Sequence, residues 1–372
     1  MKLFAAHYRT GATFEFVLEG GRVVGKCARR GKAKLVFGPG LLDLQNNGYA
    51  GIDFNHPSLT PEKFAHGVRA MWRAGCTDVL PTLITASPER LSGLFRVFVE
   101  AMKGDADVRA SIPGFHLEGP FISPVDGARG AHPLAHVQAP NAKVWREVQR
   151  AAEGKVVLHT LAPEWKGAPA FIRKLRAEKV AVAVAHTMAT RAEIAAAAEA
   201  GAAMSTHLGN GCPQMMHRHV NPVMAQLGED RLVACLIADG IHLPPEVLHI
   251  YWRAKGAKNC VIVTDSMAAA GAPPGRYTIS DMVVEVGRDR VVRQPGSPNF
   301  AGSSLTMDRA VANTVAFTGA SLADVWDACS VLAWRAIGRK PSASWVIADA
   351  TGGFEVVAAG RGRRALYLRR QD

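Results

Sequence analysis

The sequence predicts an α/β fold, a (β/α)8 TIM-like barrel with a small β-sandwich domain built from both chain ends. From residue 39 onward, short apolar runs alternate with stretches of helical spacing, which is the pattern of repeated strand–helix units around a parallel sheet. Both ends of the chain instead carry only short β-like runs. With 372 residues, 48% of them hydrophobic, the chain is long enough for one large barrel with an appended domain.

The chain ends supply the small domain. Gly-Gly and Arg-Gly turns separate the first runs, and no helical period appears before residue 39. The predicted strands are Thr13–Leu18, Arg22–Cys27, Ala33–Phe37, Ser344–Ile347, Phe354–Ala358 and Ala365–Leu368. We therefore assign residues 1–38 and 340–372 to the small β domain and 39–339 to the barrel.

The middle of the chain supplies eight strand–helix units, the number that closes a barrel. The predicted strands are Leu41–Asn46, Thr77–Leu83, Pro113–Leu117, Lys155–Thr160, Val180–Ala185, Ala203–Thr206, Leu232–Ile237 and Cys260–Thr264. The predicted helices are Pro61–Ala74, Pro88–Met102, Ala142–Ala152, Ala168–Glu178, Arg191–Ala200, Pro222–Leu227, Pro245–Ala254 and Ser304–Thr318. One further helix is predicted over Leu322–Ile337.

Charge and composition favour a cytoplasmic enzyme with a small-molecule partner. The net charge is +12, but no basic helix or aromatic-interleaved patch appears, so a nucleic-acid partner is not expected. The basic residues that do cluster are Arg29, Arg30, Arg361, Arg363, Arg364, Arg369 and Arg370. The sequence contains no apolar run of 18 residues, so no membrane span is predicted. Neither a signal peptide nor a CxxC pair is expected from the sequence. We expect the six cysteines to be reduced.

The carboxyl ends of the barrel strands carry the candidate functional residues, because side chains at that end point into the active site of such a barrel. They are Asp43, Gln45, Asn47, His116, Glu118, His186, His207, Asp239, His242 and Asp265. Glu118, His186 and His207 are the ligand types that Zn²⁺ takes while leaving a position open for water. Asp265 suits a general base that takes the proton of that water and later delivers it to a leaving amine.

Each of these residues also has a simpler interpretation. A single buried histidine, such as His116 or His159, is more often a core residue than a ligand. An aspartate beside a strand often caps the following helix, which is our interpretation of Asp53 and Asp78. The joint placement at strand ends is what favours a metal site.

Motifs along most of the chain resemble those of the N-acetylglucosamine-6-phosphate deacetylases. HLEGP, THL and TDSM in this order are the most specific of them. The matching segments are PGLLDLQNNGYAGIDFN (39–55), HLEGPFIS (116–123), GAHP (130–133), TLAPE (160–164), AHTMAT (185–190), THLGNG (206–211), HR (217–218), ADGIH (238–242), VTDSMAAAG (263–271) and AGSSLTMDRAVAN (301–313).

The resemblance implies roles at the reacting end of the site. Glu118, His186 and His207 would hold the metal, and Asp265 would activate the water and protonate the departing amine. His132 stands where the family places a histidine that contacts the acetamido group, so it is a candidate to orient or polarise the scissile carbonyl.

The resemblance also implies a phosphate site and a homodimer. Asn210, the backbone of Gly211, Arg218 and His242 stand where the family binds the sugar phosphate. The arginine is typically contributed across a dimer interface, so a homodimer is expected.

Three departures from the family pattern bear on this interpretation. Gln45 and Asn47 stand where many amidohydrolases have a His-x-His pair, which leaves a possible vestigial second-metal position and favours one divalent ion per chain, zinc or else iron, cobalt or manganese. The loop GNGCPQMMHRHVN (209–221) replaces a form closer to FNAMSPLHHREPG. GRKPSASWVIAD (338–349) replaces a PGKDAD-like segment in the small domain.

The predicted function is hydrolysis of the N-acetyl group of an amino sugar 6-phosphate, in which metal-activated water attacks the amide carbonyl. Three alternatives remain. The same chemistry could act on an unphosphorylated N-acyl sugar or an N-acyl amino acid. A binuclear dihydroorotase-like or urease-like site is disfavoured, because His159 and Thr160 stand where a carbamylated lysine would be needed. A non-catalytic sugar-phosphate sensor is the alternative from another class.

Overall fold

The computed structural model describes residues 1–296 and 300–369. Its strands are β1 (Lys2–His7), β2 (Thr13–Glu19), β3 (Arg22–Ala28), β4 (Leu35–Pro39), β5 (Leu41–Asn46), β6 (Gly48–Tyr49), β7 (Ile52–Asp53), β8 (Cys76–Leu83), β9 (Phe115–Glu118), β10 (Val156–Leu161), β11 (Ala181–Val184), β12 (Met204–Ser205), β13 (Val233–Ile237), β14 (Cys260–Val263), β15 (Gly275–Ile279), β16 (Met282–Val286), β17 (Val292–Arg293), β18 (Ser344–Asp349), β19 (Glu355–Arg361) and β20 (Arg364–Leu368).

The helices alternate with the strands of the barrel. They are α1 (Pro61–Met71), α2 (Pro88–Gly104), α3 (Ala106–Ser111), α4 (Ala142–Ala151), α5 (Ala168–Ala177), α6 (Arg191–Glu199), α7 (Pro222–Leu227), α8 (Pro245–Lys255), α9 (Met307–Thr318), α10 (Leu322–Ala328) and α11 (Val331–Ala336). Short 3-10 turns follow α1 and precede β14. In the described part of the chain, no helix combines the length and the apolar character needed to cross a bilayer.

The predicted (β/α)8 barrel is confirmed. Eight strands, β5 and β8 to β14, pair side by side in chain order. The ring is completed just past β14, where Asp265 N donates to Gln45 O at 3.0 Å. Every residue of β8 and of β10 is buried, since the inner face meets the barrel core and the outer face meets helices. The carboxyl ends of all eight strands therefore open onto one shared face.

The two chain ends build one small β domain, as predicted, but its strands close into a barrel of their own. Its order is β1-β2-β3-β20-β19-β18-β4. A parallel pairing of β1 with β4 and an antiparallel pairing of β18 with β4 join what the sequence predicted as two facing sheets. The last predicted residues of this domain, 370–372, lie outside the described residues.

The predicted single helix over Leu322–Ile337 is wrong, because the chain breaks it at Cys329 and Ser330. The Cys329 carbonyl accepts Leu42 N at 2.9 Å, and Ser330 Oγ donates to Gly40 O at 2.8 Å. Both bonds attach the break to the start of β5, so contacts with the barrel override the helical period. Two helices, α10 and α11, result.

A three-stranded sheet, β15 to β17, was not predicted from the sequence. It follows β14 and places Ile279 beside the mouth of the barrel. Arg90 binds the turn between β15 and β16: its Nη1 lies 2.5 Å from Asp281 Oδ2, and its Nη2 donates to Asn55 O at 2.8 Å.

The interpretation of Asp78 as a helix cap is also wrong. This carboxylate is fully buried near the start of β8 and joins the barrel to the small domain. Arg361 Nη2 lies 2.8 Å from Oδ1, and Ser344 Oγ donates to Oδ2 at 2.6 Å. Asp53 likewise caps no helix: its Oδ1 accepts Asn55 N at 2.8 Å, within a loop.

We expect Asp78→Asn to lower the free energy of unfolding by ~3–5 kcal/mol, because it leaves the Arg361 cation buried beside an amide. Urea unfolding of the full chain measures this. Asp107→Asn is the control, since Asp107 forms a more exposed ion pair with Arg364 between the same two domains at 2.7 Å, and its loss should cost at most ~1 kcal/mol. Equal effects of the two substitutions would contradict the assignment of Asp78 and Arg361 as a buried ion pair that stabilises the fold.

Candidate metal centre and active site

Three side chains from the ends of three barrel strands converge at the mouth of the barrel. Glu118 ends β9, His186 follows β11 and His207 follows β12. Glu118 Oε1 lies 2.8 Å from His207 Nε2 and 3.2 Å from His186 Nε2. All three are buried, and their ligand atoms lie within 4.8 Å of one another. The residues predicted as metal ligands are thus brought together.

Three residues at these strand ends have strained backbone conformations. His186, His207 and Asp265 have φ values of 49°, 31° and 49°, in the left-handed region that non-glycine residues rarely adopt. Such conformations cost ~1–3 kcal/mol each and cluster at functional sites.

The ring nitrogens are arranged for a cation. Ala128 O accepts a hydrogen bond from His186 Nδ1 at 2.9 Å, so the lone pair of this ring lies on Nε2. That nitrogen lies 3.0 Å from Nε2 of His207. Two imidazole nitrogens and one carboxylate oxygen at this separation form a donor set that fits a divalent ion.

Charges within the cluster reinforce one another. Burial opposes ionisation of Glu118, but the imidazole side chains beside it, His186 and His207, hold the pKa of this carboxyl well below its usual range. Burial lowers the pKa of His207, but Glu118 outweighs this and raises it. The cluster therefore keeps one anionic ligand at its centre.

Asp265 follows β14 and faces the same space. Burial, with the charge of Glu118, raises the pKa of its carboxyl to about 7, while His207, His242 and a hydrogen bond from Asn47 oppose that rise. The Asn47 amide donates to Oδ1 at 2.7 Å. A carboxylate of this pKa can exchange protons near neutral pH.

Gln45 and Asn47 present N–H groups at the predicted vestigial second-metal position. Gln45 Nε2 donates to both oxygens of Glu118 at 3.0 Å, and Asn47 donates to Asp265. Each side-chain amide thus directs an N–H donor at a carboxylate. A second metal ion at this position would instead need a ligand atom with a lone pair.

His132 carries its proton on the nitrogen that faces away from Thr85. Thr85 N donates to His132 Nδ1 at 3.3 Å, so Nδ1 holds the lone pair and Nε2 the proton. Burial, with the charge of His186, lowers the pKa of this imidazole to about 3. His132 is therefore a neutral hydrogen-bond donor, with its ring centre 4.4 Å from that of His186. Thr85 itself was not predicted, although it follows β8 by the same strand-end logic.

A cavity of about 400 Å³ connects the cluster with most of the predicted substrate-binding residues. Asn210, Gly211 and His242 line it, but Arg218 does not and lies exposed on the adjoining loop. At Gly211 (φ +60°) a Cβ would lie 2.7 Å from His186 Nδ1, so only glycine fits this altered loop. Phe300, which the sequence did not single out, also lines the cavity, with its ring 5.1 Å from that of His242.

His116 and His159 are core residues, as the simpler interpretation expected. His116 Nε2 contacts Thr160 Oγ1 at 2.8 Å, and His159 packs against Trp145 with ring centres 5.4 Å apart. Burial lowers their pKa values to about 4 and about 3.

Comparison with known proteins gives the family. Residues 37–342 match the amidohydrolase family model. The N-acetylglucosamine-6-phosphate deacetylase of Bos taurus is 33% identical over 90% of this chain and 82% of its own length. The chain belongs to the N-acetylglucosamine-6-phosphate deacetylase family of amidohydrolases.

Other members of this deacetylase family match to a similar degree. The N-acetylgalactosamine-6-phosphate deacetylase of Escherichia coli O157:H7 is 32% identical, over 81% of this chain and 78% of its own length. An aspartate-to-alanine variant of the Mycobacterium smegmatis N-acetyl-D-glucosamine-6-phosphate deacetylase, solved in complex with N-acetyl-D-glucosamine-6-phosphate, superposes with a TM-score of 0.85. It is 27% identical and covers 99% of this chain and 100% of its own.

Proposed function

We propose that this chain hydrolyses the N-acetyl group of an amino sugar 6-phosphate. The observation that carries the proposal is the convergence of Glu118, His186, His207, Asp265 and His132 in one cavity. Membership of a deacetylase family supports the same reaction. A phosphorylated substrate also agrees with the expected cytoplasmic location, since a charged phosphate ester does not cross a bilayer unaided.

Glu118, His186 and His207 would hold one divalent ion per chain, with zinc first among the candidates and iron, cobalt or manganese possible. When bound, the ion polarises the amide carbonyl and makes water acidic enough to act as a nucleophile near neutral pH. Gln45 and Asn47 support a single ion, because their amide nitrogens, not their oxygens, meet the carboxylates.

Asp265 would move the proton. Its carboxylate takes a proton from the attacking water as the water oxygen bonds to the amide carbon. It then returns a proton to the amide nitrogen as the carbon–nitrogen bond breaks, releasing acetate and the free amine. The Asn47 amide holds Oδ1 at 2.7 Å, which orients the carboxylate for this transfer.

His132 would stabilise the negative charge that develops on the carbonyl oxygen. Its Nε2–H donor is fixed by Thr85 and needs no reorientation during the reaction.

We further propose a homodimer in which Arg218 completes the phosphate site of the partner subunit. Asn210, the Gly211 backbone and His242 line the cavity of their own chain, whereas Arg218 lies exposed outside it. The same loop presents Met215 and Val220 at 91% and 74% exposure. Such large exposed apolar side chains fit coverage by a second copy.

A substrate panel tests the proposal. Amine release is measured from N-acetylglucosamine-6-phosphate, N-acetylgalactosamine-6-phosphate, their unphosphorylated forms and N-acetyl amino acids. Both sugar configurations are included because relatives named for each are 33% and 32% identical. We expect a phosphorylated hexosamine to be preferred. Faster turnover of an unphosphorylated sugar or an N-acetyl amino acid would identify that compound class as the substrate instead. No turnover by the metal-loaded protein would favour the non-catalytic sensor.

We expect Arg218→Ala to lower kcat/KM for the phosphorylated substrate by ~100-fold and to leave the unphosphorylated one nearly unchanged, because a planar guanidinium pairs with two phosphate oxygens. Arg231→Ala, which removes a surface arginine paired with Glu229, is the control.

Mixing two variants that are each impaired on the phosphorylated substrate tests whether Arg218 acts across the interface. A hybrid of Arg218→Ala and Asp265→Asn subunits contains one site with Asp265 and the partner's arginine, so activity should return in up to half of its sites. No recovery in verified hybrids would place Arg218 in its own subunit's site or outside the site altogether.

A further inference from the structure

Asp239, which has no role in the mechanism above, forms a buried pair with His242 at the wall of the cavity. The turn after β13 brings the two together, and their side chains are 7% and 8% exposed. Asp239 Oδ1 accepts the backbone N–H groups of Ile241 and His242, each at 2.8 Å. Oδ2 lies 2.6 Å from His242 Nδ1. One carboxylate therefore fixes both the turn and the ring.

This arrangement determines which ring nitrogen meets the substrate. Nδ1 donates to Asp239, so Nε2 is the nitrogen left for the cavity that His242 lines. Within the described residues no hydrogen-bond partner lies on Nε2. A neutral ring held this way would present a bare lone pair, which repels an anion. A positively charged ring would present an N–H.

The Asp239 carboxyl stays ionised beside the ring. Burial alone would raise the pKa of Asp239, but its hydrogen bond with His242 and the charge of His242 outweigh burial and lower it. An ionised carboxylate 2.6 Å from Nδ1 accepts the N–H of that nitrogen and is placed to form an ion pair with the ring when an anion in the cavity accepts a hydrogen bond from Nε2.

We infer that Asp239 is a positioning residue for substrate specificity. Its carboxylate holds the His242 ring through Nδ1 and forms an ion pair with it when Nε2–H meets the anionic group of the substrate. This inference rests on the proposed function for the identity of that anion. It adds a reason why the cavity prefers a phosphorylated substrate even before the partner's arginine is considered.

Asp239→Asn removes the negative charge of this side chain while keeping its shape. The two backbone donors hold the amide oxygen at the Oδ1 position, so the NH₂ group faces His242 Nδ1 and imposes the neutral tautomer with its proton on Nε2. A hydrogen bond from a charged donor is roughly twice as strong as one from a neutral donor. We expect KM for the phosphorylated substrate to rise about tenfold, with kcat and the unphosphorylated substrate nearly unchanged.

Two controls separate this role from a structural one. Asp327→Asn removes a carboxylate bound to Tyr8 at 2.7 Å, away from the cavity, and should change neither constant. In an Asp239→Asn/His242→Gln double variant the Asp239 substitution should add nothing further, because its effect passes through His242. Additive losses, or a fall in kcat for both substrates, would overturn the inference.

A spectroscopic test does not depend on the substrate. Long-range ¹⁵N correlation spectra of the metal-loaded full chain, assigned with His242→Gln, report the protons on each ring nitrogen. We expect a proton on Nδ1 of His242, and protons on both nitrogens once inorganic phosphate is added. A bare Nδ1 in the unmutated protein would overturn the inference. If phosphorylated and unphosphorylated sugars react equally, the proposed substrate fails, and this spectrum still decides the role of Asp239.

Discussion

Asp265→Asn is expected to lower kcat by ~10²–10⁴-fold or more while leaving the metal content unchanged. An amide cannot accept the proton of the attacking water or return one to the leaving amine, and both transfers depend on this one side chain. Because Asn47 Nδ2 lies 2.7 Å from Oδ1, the amide oxygen can take that position and keep the local structure. Steady-state kinetics with elemental analysis of the same sample measure the effect.

The pH dependence of activity is an independent test of Asp265 as the base. Asp265 acts as a base only when deprotonated, so activity should fall as the pH drops through its pKa, which burial raises to about 7 and a bound cation would lower. That acidic limb should disappear in the Asn variant. Asp289→Asn, at a surface pair with Arg293, is the control. Near-normal turnover in Asp265→Asn would remove Asp265 from the role of base.

Glu118→Ala is expected to abolish metal retention and activity together. Glu118 is the anionic centre of the ligand set, 2.8 Å from His207 Nε2 and 3.2 Å from His186 Nε2. Even outer partners of metal ligands alter affinity by ~10–100-fold, so loss of the carboxylate should exceed that range. We expect one equivalent of divalent metal in the unmutated protein and almost none in the variant.

Gln45→Leu is the matched control, because it removes only the hydrogen bonds to Glu118. It should weaken metal binding within the ~10–100-fold range and keep measurable turnover at saturating metal. A reproducible second equivalent of metal in the unmutated protein would contradict the mononuclear site. Full activity in a metal-free preparation would contradict the mechanism.

Two of the errors in the sequence predictions share one physical origin, contacts between residues far apart in the chain. The helix predicted over Leu322–Ile337 breaks because Ser330 binds Gly40, which lies 290 residues away in the chain. Asp78 bonds to Arg361 of the other domain, and neither contact has a local signature. The sheet β15 to β17 was missed because its strands are short and partly exposed.

The sequence by itself determined the barrel, the strand ends that carry Glu118, His186 and His207, and the family. These follow from local patterns, since alternation of apolar runs places strands, and parallel strands in a ring must bring their carboxyl ends to one face. Only the tertiary structure decided the orientation of the polar groups. The tautomer of His132, the pairing of Asn47 with Asp265 across 218 residues, and the exposure of Arg218 outside its own cavity depend on contacts between distant segments. Hydrogen-bond direction is set by whichever groups packing brings within reach, and no periodicity in the sequence encodes it.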